Sequence, residues 1–168
     1  MLGVYNNFPQ NIHNAAAYVT SASSQRVQRT LLETFIKLNN QTLKPDGICI
    51  PPTPDCKLII EFGVAQGNSF TFLDSQEKDG LLKAAKREPL KILDILCVVR
   101  YYKIRNEKTT PLKFDYYILR FKFNSNTLEM YVFHERGPMH VTPKDIPRFL
   151  ADKINENFRR KILKINSL

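Results

Sequence analysis

Hydrophobic side chains recur every three or four residues in several stretches of this chain, which is the spacing that places them on one side of an α-helix. The clearest stretch follows Ser23 and Ser24, either of which can cap a helix N-terminus, and it ends at Asn39. Weaker patterns predict a short helix over residues 9–20 and another over residues 75–85. The apolar stripe of the clearest helix consists of Val27, Leu31, Phe35 and Leu38.

The C-terminal part of the sequence predicts a long helix. Thr142 can cap it, Pro143 suits its first turn, and Asp145 supplies the acid three residues after the cap. The apolar stripe that follows must pack on another element, whereas we expect residues 163–168 to fray. This stripe consists of Ile146, Phe149, Leu150, Ile154, Phe158 and Ile162.

Strands are indicated by short apolar runs and by alternation of apolar and polar residues. Residues 57–62 and 68–73 have this character, and the glycine-flanked segment 63–67 between them predicts a hairpin. Residues 48–50 predict a short strand before a proline-rich turn. Residues 92–104 predict a long strand, which a Thr-Thr-Pro sequence then breaks.

Two further strands, residues 114–123 and 127–134, surround an Asn-Ser-Asn-Thr turn whose position sets their register. Closing the chain at this turn makes one face of the hairpin nearly all apolar and leaves the other face charged and aromatic. This agreement supports an antiparallel hairpin with Phe121 and Met130 in the core. The cross-strand pairs are Phe123 with Leu128, Phe121 with Met130, Leu119 with Val132, Tyr117 with His134, Lys122 with Glu129, Arg120 with Tyr131, and Ile118 with Phe133.

The order of these elements predicts an α+β fold. Residues 1–168 would form a single domain, in which a mainly antiparallel sheet of about five or six strands carries N-terminal helices and the long C-terminal helix. A length of 168 residues and a hydrophobic content of 43% are ordinary for one globular domain. They exclude collagen-like, low-complexity and disordered chains.

The sequence favours an intracellular protein, cytoplasmic or nuclear, with no membrane partner. No apolar run reaches the roughly 18–20 residues that cross a bilayer, and the first residues lack the basic head and apolar segment of a signal peptide. The chain has 3 cysteines, and an odd number argues against a disulfide framework. We therefore expect the cysteines to be reduced.

Charge adds the first indication of a partner. The chain has 25 Lys and Arg residues against 16 Asp and Glu residues, which gives a formal net charge of +9. Acidic and basic residues balance over residues 1–75, so the whole excess lies in residues 76–168. Such asymmetry favours an acidic partner, most simply nucleic acid, although a basic face kept for solubility would give the same pattern.

One segment has the residue types of a catalytic or metal site. His134, Glu135 and His140 would provide two imidazoles and a carboxylate, as a metal-dependent hydrolase or nuclease requires. A Gly-Pro pair between the histidines would break a helix, so only a loop could gather these ligands. The alternative is structural: a strand end that turns into the last helix, with His134 half-buried beside Tyr117.

A surface on the sheet gives the stronger hypothesis. Alternation along residues 92–104 places Arg100 and Tyr102 beside the charged and aromatic face of the hairpin. Rings stack on unpaired bases while cations neutralise phosphates, so this surface suits single-stranded nucleic acid. It is also apolar enough to be covered by a helix or another subunit. The candidate contact residues are Arg100, Tyr102, Tyr116, Arg120, Lys122, Tyr131 and Phe133 on the sheet, with Arg159, Arg160, Lys161 and Lys164 near the C-terminus.

The sequence therefore predicts a small, non-enzymatic binding module, one subunit of a larger assembly, whose basic C-terminal half contacts RNA or DNA. Other protein subunits are expected partners. We expect no cofactor, no metal ion and no catalytic residue. The alternative from another class is a metal-dependent hydrolase or nuclease that uses His134, Glu135 and His140.

Overall fold

An antiparallel sheet runs through the computed structural model of the protein, which describes residues 3–166. The strands are β1 (Gly3–Val4), β2 (Asn14–Thr20), β3 (Thr42–Leu43), β4 (Cys56–Gln66), β5 (Ser69–Phe72), β6 (Ile92–Arg105), β7 (Lys108–Pro111), β8 (Asp115–Phe123), β9 (Thr127–Arg136) and β10 (Leu163–Ile165). They lie in the order β1-β5-β4-β6-β8-β9-β2-β10, while β3 pairs with β4 and β7 pairs with β6.

Helices pack on one face of this sheet. They are α1 (Ser24–Leu38), α2 (Ser75–Arg87) and α3 (Asp145–Asn155). The helices predicted after Ser23 and over residues 75–85 are thus confirmed, as α1 and α2. Ser23 caps α1, and its side chain accepts a hydrogen bond from the backbone N–H of Arg26 at 3.2 Å. Phe35 of α1 packs on the sheet, with ring centroids 4.4 Å from Phe62 and 5.6 Å from Phe121. Among residues 3–166, no helix is both long and apolar enough to cross a membrane.

The β8–β9 hairpin has the predicted register, and every predicted cross-strand pair occurs. Phe121 and Met130 face the helices and are 1% and 2% exposed. Near the far end of the hairpin a β-bulge shifts the pairing, so that Tyr116 lies opposite Arg136. The agreement follows from strand geometry, because a slip of one residue would have exposed the whole apolar face.

The helix predicted over residues 9–20 is wrong, since Asn14–Thr20 form β2. This strand pairs with β9, where Tyr18 lies opposite Leu128. Alanine favours a helix, but so short a helix is marginal in water by itself. Pairing with β9 completes the hydrogen bonds of an open strand edge and buries Tyr18 and Thr20. The tertiary pairing therefore overrides the local preference.

Two shorter predictions also fail. Residues 48–50, expected to be a strand, follow a turn in which the backbone N–H of Ile48 donates to the carbonyl of Pro45 at 2.9 Å, and Ile50 is 87% exposed. The Thr-Thr-Pro sequence that was expected to break the pattern instead lies in β7, which pairs with β6. Proline is tolerated there because β7 lies at an edge of the sheet.

The predicted architecture is wrong in the size of the sheet and in the C-terminal helix. Within residues 3–166 the sheet has 10 strands rather than about five or six, and strands hold 41% of these residues against 24% in three short helices. Several added strands have only two to four residues, which is too short for alternation to mark them. The helix α3 ends at Asn155, so Phe158 and Ile162 of the predicted stripe lie beyond it.

Asn155 ends this helix through its side chain. The Oδ1 atom accepts hydrogen bonds from the backbone N–H groups of Ile162 and Leu163, both at 3.0 Å, and Nδ2 donates to the carbonyl of Leu163. These bonds fold the chain back, so that Leu163–Ile165, where fraying was expected, form β10 against β2. Residues 167–168 of the expected frayed end lie outside the described residues.

Candidate functional site

The sheet has a second face, on the side away from the helices. Its apolar centre consists of Phe70, Leu96, Val98 and Ile118. Because β6 and β8 are neighbours, Val98 lies opposite Tyr116 and Asp94 lies opposite Arg120. The structure thus brings together on this second face the sheet residues that the sequence singled out, namely Arg100, Tyr102, Tyr116, Arg120, Lys122, Tyr131 and Phe133.

Two arginines on the second face form ion pairs with acidic side chains. The Nε and Nη2 atoms of Arg120 donate to the two carboxylate oxygens of Asp94, each at 2.8 Å, and Nη2 of Arg100 lies 2.5 Å from Oε1 of Glu61. The hydrogen bond with Asp94 raises the pKa of Arg120 above its ordinary value. Both arginines are therefore neutralised within the chain, which the sequence did not predict.

Other cations on the second face lie over aromatic rings. The guanidinium carbon of Arg136 is 4.0 Å from the ring centroid of Tyr116, and Nζ of Lys122 is 5.1 Å from that of Tyr131. Burial, followed by the nearby Glu129, raises the pKa of Tyr131. Both rings are half-exposed, so each pair offers a flat apolar surface together with a positive charge.

Residues 5–13, which we call the N-terminal segment, cross the centre of the second face. The hydroxyl of Tyr5 donates to Asp94, and burial, followed by that carboxylate, raises the pKa of Tyr5 to about 12. The ring of Phe8 lies with its centroid 4.6 Å from the guanidinium carbon of Arg120. The segment ends at His13, just before β2. Tyr5 and Phe8 thus cover the apolar centre. Tyr116, Lys122 and Tyr131, farther along β8 and β9, remain half-exposed.

The basic residues near the C-terminus divide between two sides of the molecule. Arg159, Arg160 and Lys161 are exposed in the turn after α3, and Lys164 is exposed on β10. Strand alternation places Lys164 on the second face, because it lies opposite Val19 of β2. The structure therefore joins Lys164 to the sheet residues, but it does not bring Arg159 and Arg160 to that face.

Two grooves adjoin this turn, one on the helical side and one at the β10 edge of the sheet. One, of about 510 Å³, is lined by Arg26, Arg29 and Phe158, and the guanidinium of Arg26 lies 4.8 Å from the ring centroid of Phe158. The other, of about 580 Å³, lies between β2 and α3 and includes Lys161 and Lys164 in its lining. The positive charge of the C-terminus thus borders the edge of the sheet formed by β10.

A buried carboxylate that sequence reasoning missed organises the segment with the two histidines. Asp115 is 0% exposed and accepts hydrogen bonds from the Tyr101 hydroxyl at 2.5 Å and from the backbone N–H groups of Met139 and His140 at 2.6 and 2.9 Å. Its Oδ1 also lies 3.0 Å from Nε2 of His134. Burial, followed by the charge of Asp115, raises the pKa of Tyr101. The available signal was that Asp115 falls on the face of β8 whose other residues are all aromatic or apolar, namely Tyr117, Leu119, Phe121 and Phe123.

This arrangement explains why His134, Glu135 and His140 are not gathered into one cluster. His134 faces Asp115, Glu135 is exposed beside the β-bulge, and His140 contributes its backbone N–H. Gly137 allows the loop after β9 to fold closely around Asp115, because it has a φ of +110° and a Cβ there would lie 2.8 Å from the Asp115 Cα. Across residues 3–166, no group of three or more His, Cys, Asp and Glu side chains is placed to hold a metal ion.

The thiols offer little reactivity. Cys49, Cys56 and Cys97 are free, and burial raises the pKa of each, to about 11 for Cys49. Because the thiolate is the nucleophile, groups with raised pKa values are poor nucleophiles at neutral pH.

The second face is therefore the richest candidate site, and its side chains can stack on planar groups and attract anions. Comparison of the chain with protein-family models, with curated proteins and with solved structures gave no match.

Proposed function

We propose that this protein is a non-enzymatic binding module that holds single-stranded RNA or DNA on the β8–β9 part of the second face. The observation that carries the proposal is the pairing of half-exposed rings with cations there, Tyr116 with Arg136 and Tyr131 with Lys122. Phe133 lies between them on β9 and adds a third ring. A row of rings with adjacent positive charge is the arrangement that binds unpaired bases in many single-strand binders.

The spacing of these rings supports the proposal. Tyr131 and Phe133 are alternate residues of one strand, so their Cα atoms are about 6.5–7 Å apart on the same face. Bases stack on such rings without regard to sequence, since every base has a flat π-face. Lys164 lies on the same face beyond β2, where it is placed to neutralise a phosphate. A duplex would gain little from the rings, because its bases are already stacked on one another.

The same proposal makes the chain one subunit of a larger assembly. Val19 and Ile92, 43% and 45% exposed, belong to the second face and are suited to contact another protein subunit. Free cysteines support a reducing compartment, the cytoplasm or the nucleus.

The test is a binding titration by fluorescence anisotropy with labelled single-stranded and double-stranded oligonucleotides. Tyr131→Ala should weaken binding to single strands by about 1–3 kcal/mol, roughly 5- to 150-fold, and weaken binding to a duplex much less. Tyr131→Phe is the matched control, since it keeps the ring and should bind nearly as the wild type does.

Circular dichroism must show that each variant is folded. If the wild-type protein binds neither RNA nor DNA at micromolar concentration in low salt, the proposal fails. The second face would then be better explained as a docking surface for another protein chain.

A further inference from the structure

The N-terminal segment places two of its rings on residues of the candidate interface. The His13 ring is stacked on Phe133, with ring centroids 4.8 Å apart and an angle of 13° between the planes. The ring centroid of Phe8 lies 4.6 Å from the guanidinium carbon of Arg120. Aromatic rings and arginine planes are the two kinds of platform on which unpaired bases stack. The segment therefore occupies positions that a bound single strand would use.

The segment is held at both ends and more lightly between them. At its C-terminal end the backbone N–H of His13 donates to the carbonyl of Val132, and Nδ1 of His13 accepts from the backbone N–H of His134, both at 2.8 Å. Tyr5 packs edge-on against Phe70 at 4.8 Å and donates its hydroxyl to Asp94. β1, just before it, pairs with β5. Between Tyr5 and β2 no residue belongs to a helix or strand, and the exposed polar residues there are Asn6, Asn7, Gln10 and Asn11. A segment with few anchoring contacts opens at a low free-energy cost, so residues 6–12 can leave the sheet while Tyr5 and the His13 backbone stay in place. The His13 ring leaves Phe133 when its hydrogen bond with the His134 N–H breaks and the side chain rotates.

We propose, on the basis of the function proposed above, that Phe8 and His13 fill two base-stacking subsites and compete with the single-stranded nucleic acid for them. One subsite is the face of Phe133 and the other is the guanidinium plane of Arg120. Nucleic acid binds after these two rings have moved away. Its apparent affinity is therefore the intrinsic affinity multiplied by the fraction of molecules in which the rings have left the subsites.

The first test is the double variant Phe8→Ala with His13→Ala, titrated with the same labelled single strands. Removing both competing rings should strengthen binding by about 5- to 30-fold, since each ring contact is a weak one and the two together hold the segment closed. The matched control is Asn7→Ala with Gln10→Ala, which changes two exposed residues of the same segment and should leave the affinity unchanged.

The second test observes the movement directly. The chain contains no tryptophan, so Phe8→Trp introduces a single indole whose fluorescence reports on its place beside Arg120. Adding a saturating unlabelled single strand should change the indole emission towards that of an exposed tryptophan. This variant keeps a ring at position 8, so it remains informative if the double variant does not fold.

The outcomes separate the two proposals. If the wild type and the double variant bind single strands equally, or the double variant binds more weakly, competition by the N-terminal segment is overturned while nucleic-acid binding stands. An unchanged indole emission at saturating single strand also overturns competition by the N-terminal segment. If neither protein binds any oligonucleotide, nucleic-acid binding itself fails, and the competition fails with it.

Discussion

Asp115 shows how one buried side chain can fix a loop at the residue scale. Its carboxylate accepts from Tyr101 and from two successive backbone N–H groups, those of Met139 and His140, while His134 lies beside it. A buried charge is costly unless it is hydrogen-bonded, and here the donors come from β6, β9 and the loop after β9. The loop conformation therefore depends on the Asp115 carboxylate, and the carboxylate depends on the loop for two of its hydrogen-bond donors.

Asp115→Asn should lower the free energy of unfolding by about 3 kcal/mol, because the amide directs an N–H towards donors where the carboxylate presented an oxygen. Urea denaturation measures this change. Asp55→Asn is the matched control, since Asp55 is exposed and its loss should cost almost nothing. Equal stability of the two variants would show that the carboxylate does not organise the loop.

The free energy of unfolding should also decrease at alkaline pH. The pKa of Tyr5 is raised to about 12, and those of Tyr101 and Tyr117 are raised as well, in each case chiefly by burial. Unfolded tyrosines titrate near pH 10, so above this pH the unfolded chain releases protons that the native state keeps, and the free energy of unfolding falls as pH rises. Urea midpoints measured from about pH 8 to about pH 11 should show this decline.

Tyr5→Phe identifies one contribution to this decline. It removes a group that titrates differently in the two states, so stability should fall less steeply above about pH 10 than in the wild type. An identical slope would contradict the role given to the Tyr5 hydroxyl beside Asp94.

The sequence could reveal side chains whose neighbours are set by strand alternation, and it missed those set by distant loops. Phe121 and Met130 were predictable because a short turn joins their strands. The partners of Asp115 lie in a loop more than twenty residues away, and no periodic pattern connects the two. The ion pair of Arg120 with Asp94 was hidden in the same way, since it depends on the pairing of β6 with β8.

At the scale of elements, the β6–β7 hairpin carries local strain in its turn. Asn106 and Glu107 have φ values of 51° and 62°, as in the tight turns that suit the twist of a hairpin. Asparagine tolerates this conformation, but glutamate pays a steric cost for its Cβ. The strand β6 was predictable from the sequence. The hairpin that pairs it with β7 was not, because the sequence at the turn lacks the usual glycine.

Glu107→Gly should therefore stabilise the protein by up to about 1 kcal/mol, as the Cβ strain disappears and an Asn-Gly turn results. Thermal unfolding compared with the wild type measures the effect. Glu107→Ala removes the same charge but keeps the Cβ, so it should give no such gain. A gain of equal size in both variants would assign the effect to charge rather than to backbone strain.

Two of the element predictions that failed, the helix over residues 9–20 and the long C-terminal helix, did so for a shared reason. β2 and the end of α3 are determined by partners elsewhere in the chain, β9 in one case and the returning segment held by Asn155 in the other. Local periodicity describes what a segment prefers by itself. It could not show that the sheet needed another strand at the open edge of β9.

At the scale of the whole molecule, the positive charge is spread over two sides while the rings lie on one. We expect affinity for single strands to fall steeply with salt, because each neutralised phosphate releases counterions. A single strand that runs from the second face past the β10 edge reaches the turn after α3. Replacing Arg159, Arg160 and Lys161 together with glutamine should therefore weaken binding to all sequences and reduce the salt slope by up to about 2, at roughly 0.7 per contact. The slope is read from titrations at several salt concentrations.

The control replaces three exposed cations of α2, Lys83, Lys86 and Arg87, and so removes the same net charge from another region. If both triple variants change the slope equally, the C-terminal cations act only through net charge and make no phosphate contacts.

The pairing of β2 with β9 also sets an order of events during synthesis. Ala15 lies opposite Tyr131, so β2 leaves the ribosome long before its partner has been made. The meander from β4 to β9 can assemble from neighbouring segments, but β2 must wait for the last of them, and such long-range closures are slow. Until then the stretch has only its local preference, which is helical. The nascent protein thus carries an unpaired β2 until β9 has been made, and this interval is when it is most open to association with other chains.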